Sequence, residues 1–235
     1  MIEPIFEDLH MKRYFHEELE DVRSHLMLMG EKAVESVKLA MQALLESDVA
    51  LADQVMKSDD VIDDIEKQID DEVVRYVSLR APVARDLRLL FVAIKASHDL
   101  ERVGDEASNI AGRTKKIIAQ GLPIDAVARV PRMCELAIIM LDDALRSFIQ
   151  EEETLAYSIV GRDKEVDTIN RENFKEFVEL MKSDPANVAA CTEMVFISKS
   201  FERIADHAKN IAEEVFYLLT TQSLKEVTRG ESLEM

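Results

Sequence analysis

The sequence is poor in nearly everything that breaks a helix. Its 235 residues include six glycines and five prolines, and neither occurs between Glu31 and Ala81. No stretch alternates apolar and polar residues between turn dipeptides, so no strand is expected. Cysteine is scarce as well. Cys134 and Cys191 stand far apart without a CxxC spacing, which excludes a zinc knuckle or a redox pair and reads as two buried thiols in a reducing compartment. No apolar run approaches the ~18 residues needed to cross a bilayer. The stretch from Met1 to Tyr14 is charged and lacks the apolar core of a signal peptide, so a cytoplasmic location is expected. Positive charge is in deficit, with 29 Lys and Arg against 47 Asp and Glu, a net charge of −18. That balance excludes nucleic acid as the main partner and broad electrostatic attachment to an anionic membrane. P-loop, GxSxG and HExxH motifs are all absent.

What remains is helix-forming. Apolar residues make up 47% and charged residues 32%, a composition that favours long amphipathic helices. The few breakers divide the chain at Pro82, at Gly121-Leu122-Pro123 and at Asp184-Pro185. Pro82 and Pro185 suit first helical turns, where the missing N–H is not needed. Six helices are predicted near 6–46, 48–79, 82–119, 126–151, 153–182 and 185–222, followed by a loose polar tail. Long helices joined by short turns must pack as antiparallel neighbours. Apolar stripes such as Ala93, Ala96, Leu100, Val103, Ala107 and Ile110 carry the helical period.

The two halves repeat one another. Residues 101–111 read ERVGDEASNIA and residues 202–212 read ERIADHAKNIA, with seven of eleven positions identical. Upstream, Asp59-x-x-Ile62-Asp63-x-Ile65 aligns with Asp163-x-x-Val166-Asp167-x-Ile169. The fold predicted is therefore all-α, two tandem three-helix bundles related by internal duplication. The first is placed at 1–121, the second at 122–222 and the polar tail at 223–235.

Duplication kept core positions and also kept carboxylates. Each half has an acidic pair on its second helix, Asp59/Asp63 or Asp163/Asp167, and another on its third, Glu101/Asp105 or Glu202/Asp206. Residues four apart share a helix face. On the helical wheel Asp59 and Asp163 fall at the edge of the apolar seam, Glu101 and Glu202 just beside it and Asp105 and Asp206 further out, which puts each cluster in a surface groove between the second and third helices. Gly104/Ala205 lie on the flank nearest the Glu, where small side chains let the neighbouring helix approach. Four carboxylates across one groove repel each other, so some must protonate or a cation must enter. All-oxygen donors favour hard ions, namely iron, manganese, magnesium or calcium, over zinc. The rival reading is a solvated acidic face neutralised by Arg102 and Arg203, which follow each Glu. The histidines are not repeated: His98 aligns with Lys199 and His207 with Glu106. Glu7-x-x-His10 is the only E-x-x-H motif, whereas a di-iron oxidase bundle needs two.

The repeated ER-[VI]-[GA]-D-x-A-x-N-I-A stretch, the preceding D-x-x-[IV]-D-x-I and the segment Ala81-Pro82-Val83-Ala84-Arg85-Asp86-Leu87-Arg88 together resemble the PhoU family of phosphate-transport regulators. The resemblance covers nearly the whole chain. It implies multinuclear metal clusters, of iron or another divalent ion, held by Asp59, Asp63, Glu101 and Asp105 and by Asp163, Asp167, Glu202 and Asp206. It also implies a role without a reaction: coupling a phosphate ABC transporter, through its ATPase subunit, to a sensor histidine kinase at the inner face of the membrane, so that phosphate-starvation genes stay off. A homodimer is compatible with the long exposed helix faces. The second half departs from the pattern, having Asn187-Val188-Ala189-Ala190 where the first has Arg85-Asp86-Leu87-Arg88. The residues alone leave two other readings open: a metal-dependent bundle enzyme of the di-iron or manganese type, and a metal-free acidic scaffold.

Overall fold

In a computed structural model of the chain, residues 3–121 and 129–228 are described, except for the side chains of 3–16. Among the described residues the long elements are all helices: α1 Glu3–Glu46, α2 Val49–Arg80, α3 Ala84–Ala119, α4 Val130–Gln150, α5 Glu153–Ser183 and α6 Val188–Thr220. A single 3-10 turn, Pro185–Asn187, leads into α6.

Local chemistry sets the helix ends. The Asp48 carboxylate accepts from the N–H groups of Ala50 and Leu51 at 2.8 and 3.0 Å, capping α2. Ala81 closes α2 in a left-handed conformation, φ 47°, and Pro82 prevents further winding. Pro82 therefore terminates one helix and lies outside the next, two residues before the start of α3 at Ala84. The expected first-turn placement is corrected because the left-handed cap at Ala81 consumes that turn. Asp184 caps the turn that follows it, accepting from Ala186 N–H at 2.9 Å, and Pro185 takes the first-turn position expected of it. The predicted start of the fourth helix at 126 falls within residues 122–128, which lie outside the described residues, and the boundary at 121/122 falls at their edge. The side chains of Glu7 and His10 also lie outside the described residues.

Each half packs its three helices against one another. Neighbours run antiparallel. Asp53, Ile62 and Glu66 on α2 meet Lys115, Gly104 and His98 on α3, one series rising as the other falls. The halves join along α3 and α6 and along α1 and α4. Across the α3–α6 seam Lys95 pairs with Glu214 (2.9 Å), Asp99 accepts from Asn210 (3.2 Å), Glu106 pairs with Arg203 (2.9 Å), and Arg113 lies over Phe196, 4.1 Å from the ring centre. This register is symmetric. Arg113 and Glu214 are equivalent in the repeat, and so are Lys95 and Phe196. The seam is thus close to a twofold axis relating the bundles. At the other junction Gly30 brings α1 against α4 so closely that a Cβ there would lie 2.4 Å from Leu145 Cδ1.

One apolar core runs through both halves, from Val22 and Met29 through Leu100 and Ile110 to Phe177 and Phe201. The predicted tail begins differently from expectation. Residues 224–228 form a helical turn, Leu224 is 2% exposed, and Val227 rests against the core. Two apolar residues three apart give this stretch a buried face, while Lys225 pairs with Glu213 at 2.8 Å. Residues 229–235 lie outside the described residues. No helix among the described residues is long and apolar enough to cross a membrane.

Candidate metal centres

The stripes that build the core also place the carboxylates. On α2 the buried series Val55, Ile62, Ile65 and Ile69 leaves Asp59 and Asp63 at its border. On α5 the matching series is Ile159, Val166, Ile169 and Asn173, with Asp163 and Asp167 bordering it. Glu101 and Asp105 on α3, and Glu202 and Asp206 on α6, face these pairs half-buried. In the first half Asp105 is the common neighbour of Asp59 and Glu101, and in the second Asp206 neighbours Glu202, Asp163 and Asp167. Asn109 and Asn210 are exposed, and Asn210 turns away to Asp99.

In the first groove α2 and α3 approach at Gly104. A Cβ there would sit 2.9 Å from both Asp59 Oδ1 and Ile62 Cδ1. The approach desolvates the acids. Burial pushes the Asp59 carboxyl above the usual carboxylate range, and the charges of Asp105, Asp63 and Asp60 add to the rise. Ser108 tempers this shift, yet its buried hydroxyl makes no hydrogen bond of good geometry. Burial likewise raises Glu101, assisted by Asp105 and Glu66 and opposed by Arg102 and His98. Arg102 contacts Glu101 Oε2 through Nε at 3.2 Å and donates through Nη1 to Asp105 at 2.8 Å.

The second groove carries a different counter-charge. Lys209 donates to Asp163 Oδ2 at 2.5 Å. Burial works against its charge, but Asp163, Asp206 and Glu213 outweigh that and hold the ammonium above its ordinary range. Asp206 is raised by burial first, then by Glu202, Asp163 and Asp167, with Lys209 opposing. Lys199 pairs with Glu202. Arg203, which the sequence offered as a neutraliser of this groove, instead crosses to Glu106 on α3. The aligned arginines thus do different jobs: Arg102 turns back onto its own groove and Arg203 holds the seam.

A buried oxygen without a hydrogen bond recurs at equivalent positions. Glu101 Oε2 and Glu202 Oε2 are both buried and accept none, despite their ion-pair contacts. Each is met by one basic side chain, Arg102 or Lys199, and a bound cation would add positive charge at the same oxygen. Among the described residues, however, no three His, Cys, Asp or Glu side chains already converge as a ligand set. The donor types in each groove, oxygen throughout, fit a hard ion.

Sequence reasoning missed three participants. Glu66 joins the first cluster through Glu101 and through His98, whose Nδ1 lies 3.3 Å from it. Its position three residues after Asp63, on the same face, could have revealed it. Lys209 and Lys199 enter the second cluster, and their signal was the aligned mismatches Ser108/Lys209 and His98/Lys199. His207 is held by Asp99 at 2.8 Å, outside the groove.

The family model described as "PhoU domain" matches the chain twice, at residues 26–114 and 130–215. The chain is 36% identical over 211 residues, 90% of its length and 89% of the relative's, to a protein of Rhizobium meliloti (strain 1021) called phosphate-specific transport system accessory protein PhoU homolog. A protein of the same description from Pseudomonas aeruginosa is 38% identical over 218 residues, covering 93% of this chain and 90% of the relative. Among solved structures, PhoU from Pseudomonas aeruginosa superposes with a TM-score of 0.85 at 39% identity, covering 88% of this chain and 100% of that one. The phosphate transport system regulatory protein PhoU from Streptococcus pneumoniae gives 0.80 at 27% identity, covering 89% and 98%.

Proposed function

The chain belongs to the PhoU family, and on that premise we propose that it is a non-enzymatic regulator of phosphate transport. In this reading it couples the ATPase subunit of a phosphate ABC transporter to a sensor histidine kinase and keeps phosphate-starvation genes off when phosphate is plentiful. The relatives named as phosphate transport accessory proteins support the role. It would act at the inner face of the membrane through those partners.

The proposal includes a metal ion in each groove. Asp59, Asp63, Glu101 and Asp105 would hold one, and Asp163, Asp167, Glu202 and Asp206 the other. Iron, manganese or magnesium suits the donors. The observation that carries this part is the pair of buried oxygens, Glu101 Oε2 and Glu202 Oε2, at equivalent places in the two repeats, each met by one basic side chain, Arg102 or Lys199. A bound cation supplies positive charge that offsets four crowded carboxylates and ties the second helix of each bundle to the third. The side chains of this protein position those charges, and Gly104 gives α2 the room to bring Asp59 up to α3.

Two measurements test the reading separately. Deleting the gene should derepress phosphate-uptake genes in phosphate-rich medium, and unchanged expression would count against the regulatory role. Elemental analysis of protein purified without chelator should find metal, and the combined Asp59→Asn and Glu101→Gln substitutions should lower it. A second reading, the metal-free acidic scaffold, is favoured by the ion pairs of Arg102 and Lys209 already in the grooves. Protein that leaves purification without metal and refuses it on titration would select that reading.

A further inference from the structure

On a chain this acidic, one groove is basic. Between α5 and α6, beside the second acidic cluster, lies a cleft of about 510 Å3 lined by Asn170, Arg171, Phe174, Lys175, Phe196 and Lys199. Its walls are largely apolar: Phe174 is 54% exposed and Phe196 47%. The volume lies in the ~300–1,000 Å3 range of clefts that bury a ligand. Arg113 stacks on Phe196 from α3 and is itself fixed by Glu193 at 2.8 Å, so this wall is held in place.

The cations on the rim are largely uncommitted. Arg171 donates to the Thr168 hydroxyl at 3.0 Å, and among the described residues no ion pair engages Arg171 or Lys175. Of the acids near them on α5, Glu172 is taken by Arg129 and Glu179 by Lys182, while Glu176 is exposed. Lys199 alone has a carboxylate, Glu202.

The repeat shows that none of this is required by the fold. The equivalent positions of the first half hold Glu66 for Asn170, Lys67 for Arg171, Asp70 for Phe174, Asp71 for Lys175, Lys95 for Phe196 and His98 for Lys199. The same backbone geometry there presents an acidic, polar surface. Two exposed phenylalanines and three cations therefore distinguish one face of the second bundle only.

We propose that this cleft docks an acidic amphipathic helix of a partner protein, inserting an apolar side chain between Phe174 and Phe196 while its Asp and Glu residues meet Arg171, Lys175 and Lys199. A groove between two helices is the setting for helix-in-groove recognition, and the charge is complementary only to an acidic occupant. A second copy of this chain is disfavoured, because a symmetric contact would set the same three cations against themselves.

The test is fluorescence anisotropy with a library of labelled helical peptides of about 15 residues, carrying apolar anchors three and four apart. In one set Asp and Glu flank the anchors, and in the other Lys and Arg do. Members of the acidic set should bind with Kd on the order of 10 µM and weaken in high salt. The combined Arg171→Glu and Lys175→Glu substitutions should weaken binding more than about tenfold, with Phe196→Ala and Phe174→Ala each having a smaller effect. Lys67→Glu and Lys95→Glu, at the first-half positions, should leave it unchanged. All of these positions are exposed or half-buried, and circular dichroism confirms that each variant is folded. The proposal is overturned if no acidic peptide outbinds its basic counterpart, or if the α5 substitutions leave binding unaltered. It is equally overturned if sedimentation finds a dimer that Lys175→Glu dissociates, or if phosphatidylglycerol vesicles bind through Lys175 with both phenylalanines dispensable.

Discussion

The two acidic grooves have the same origin and four aligned carboxylates each, yet they handle their charge differently. The first relies on Arg102, a half-exposed guanidinium held on the surface, and its deepest neighbour is the neutral Ser108. The second has an ammonium of its own, because Lys209 stands at the position of Ser108 and reaches the buried Asp163. A tethered cation occupies space and neutralises charge that a free ion would otherwise contest. The comparison teaches that duplicated carboxylates do not make duplicated sites: one substitution next to the cluster changes the charge it holds. The first groove should therefore bind metal more tightly than the second.

The largest test exchanges the distinguishing residue. Ser108→Lys places an ammonium beside Asp59. An added like charge about 4 Å from a bound cation costs roughly 4 kcal/mol at an effective dielectric of 20, so even after side-chain relaxation first-groove affinity should fall on the order of 100-fold. Lys209→Ser should raise affinity in the second groove and, without metal, destabilise the chain by roughly 1–3 kcal/mol by leaving Asp163 unpaired. Calorimetric titration with manganese reads both. Equal affinities in the two wild-type grooves, unmoved by either change, would refute the asymmetry.

Next in size is the spacing. Gly104→Val should push α2 from α3 and cost about 1–3 kcal/mol, lowering Tm by about 2–4 °C per kcal/mol for a chain of this size. Its counterpart Ala205→Gly should cost only about 1 kcal/mol, through helix propensity.

A smaller effect is the dependence on pH. Asp59, Glu101 and Asp206 keep their protons to higher pH in the folded chain than when unfolded. The native state then binds more protons, so stability of the metal-free protein falls as pH rises from the ordinary carboxylate range through these raised values. Glu151, held low first by its hydrogen bond from Arg23, works in the opposite sense. Its contribution is present above the ordinary carboxylate range and is lost on acidification. Urea denaturation with EDTA, carried upward in pH from the ordinary carboxylate range, should show stability falling. Asp59→Asn with Asp206→Asn should flatten it, as should saturating metal.

The smallest test compares helix starts. Asp48 caps α2, whereas Glu152 at the start of α5 makes no side-chain cap. Asp48→Ala should cost about 1 kcal/mol and Glu152→Asp should add about 0.5 kcal/mol, measured by thermal denaturation.

Much of this architecture was legible because it rests on local signals. Helix spans follow from stripes and breakers, and the pairing of halves follows from ERVGDEASNIA and ERIADHAKNIA. Which carboxylates share a helix face was legible because positions four apart lie together. The counter-ions were not. Arg102 and Arg203 occupy identical places in the repeat, but which helix each long side chain meets depends on the α3–α6 packing, and one turns inward while the other crosses the seam. Leu224 was misjudged for a related reason: two apolar residues in a polar stretch, Leu224 and Val227, are too few to establish a period, and only the core that receives them gives them meaning.

The shared seam of α3 and α6 makes each bundle a structural dependant of the other. Neither can be discarded after its chemistry fades, because its partner would lose a wall. Fused twins of this kind are therefore free to specialise: one can keep an ancestral task while its sibling, still indispensable as masonry, acquires a new trade on its outer face.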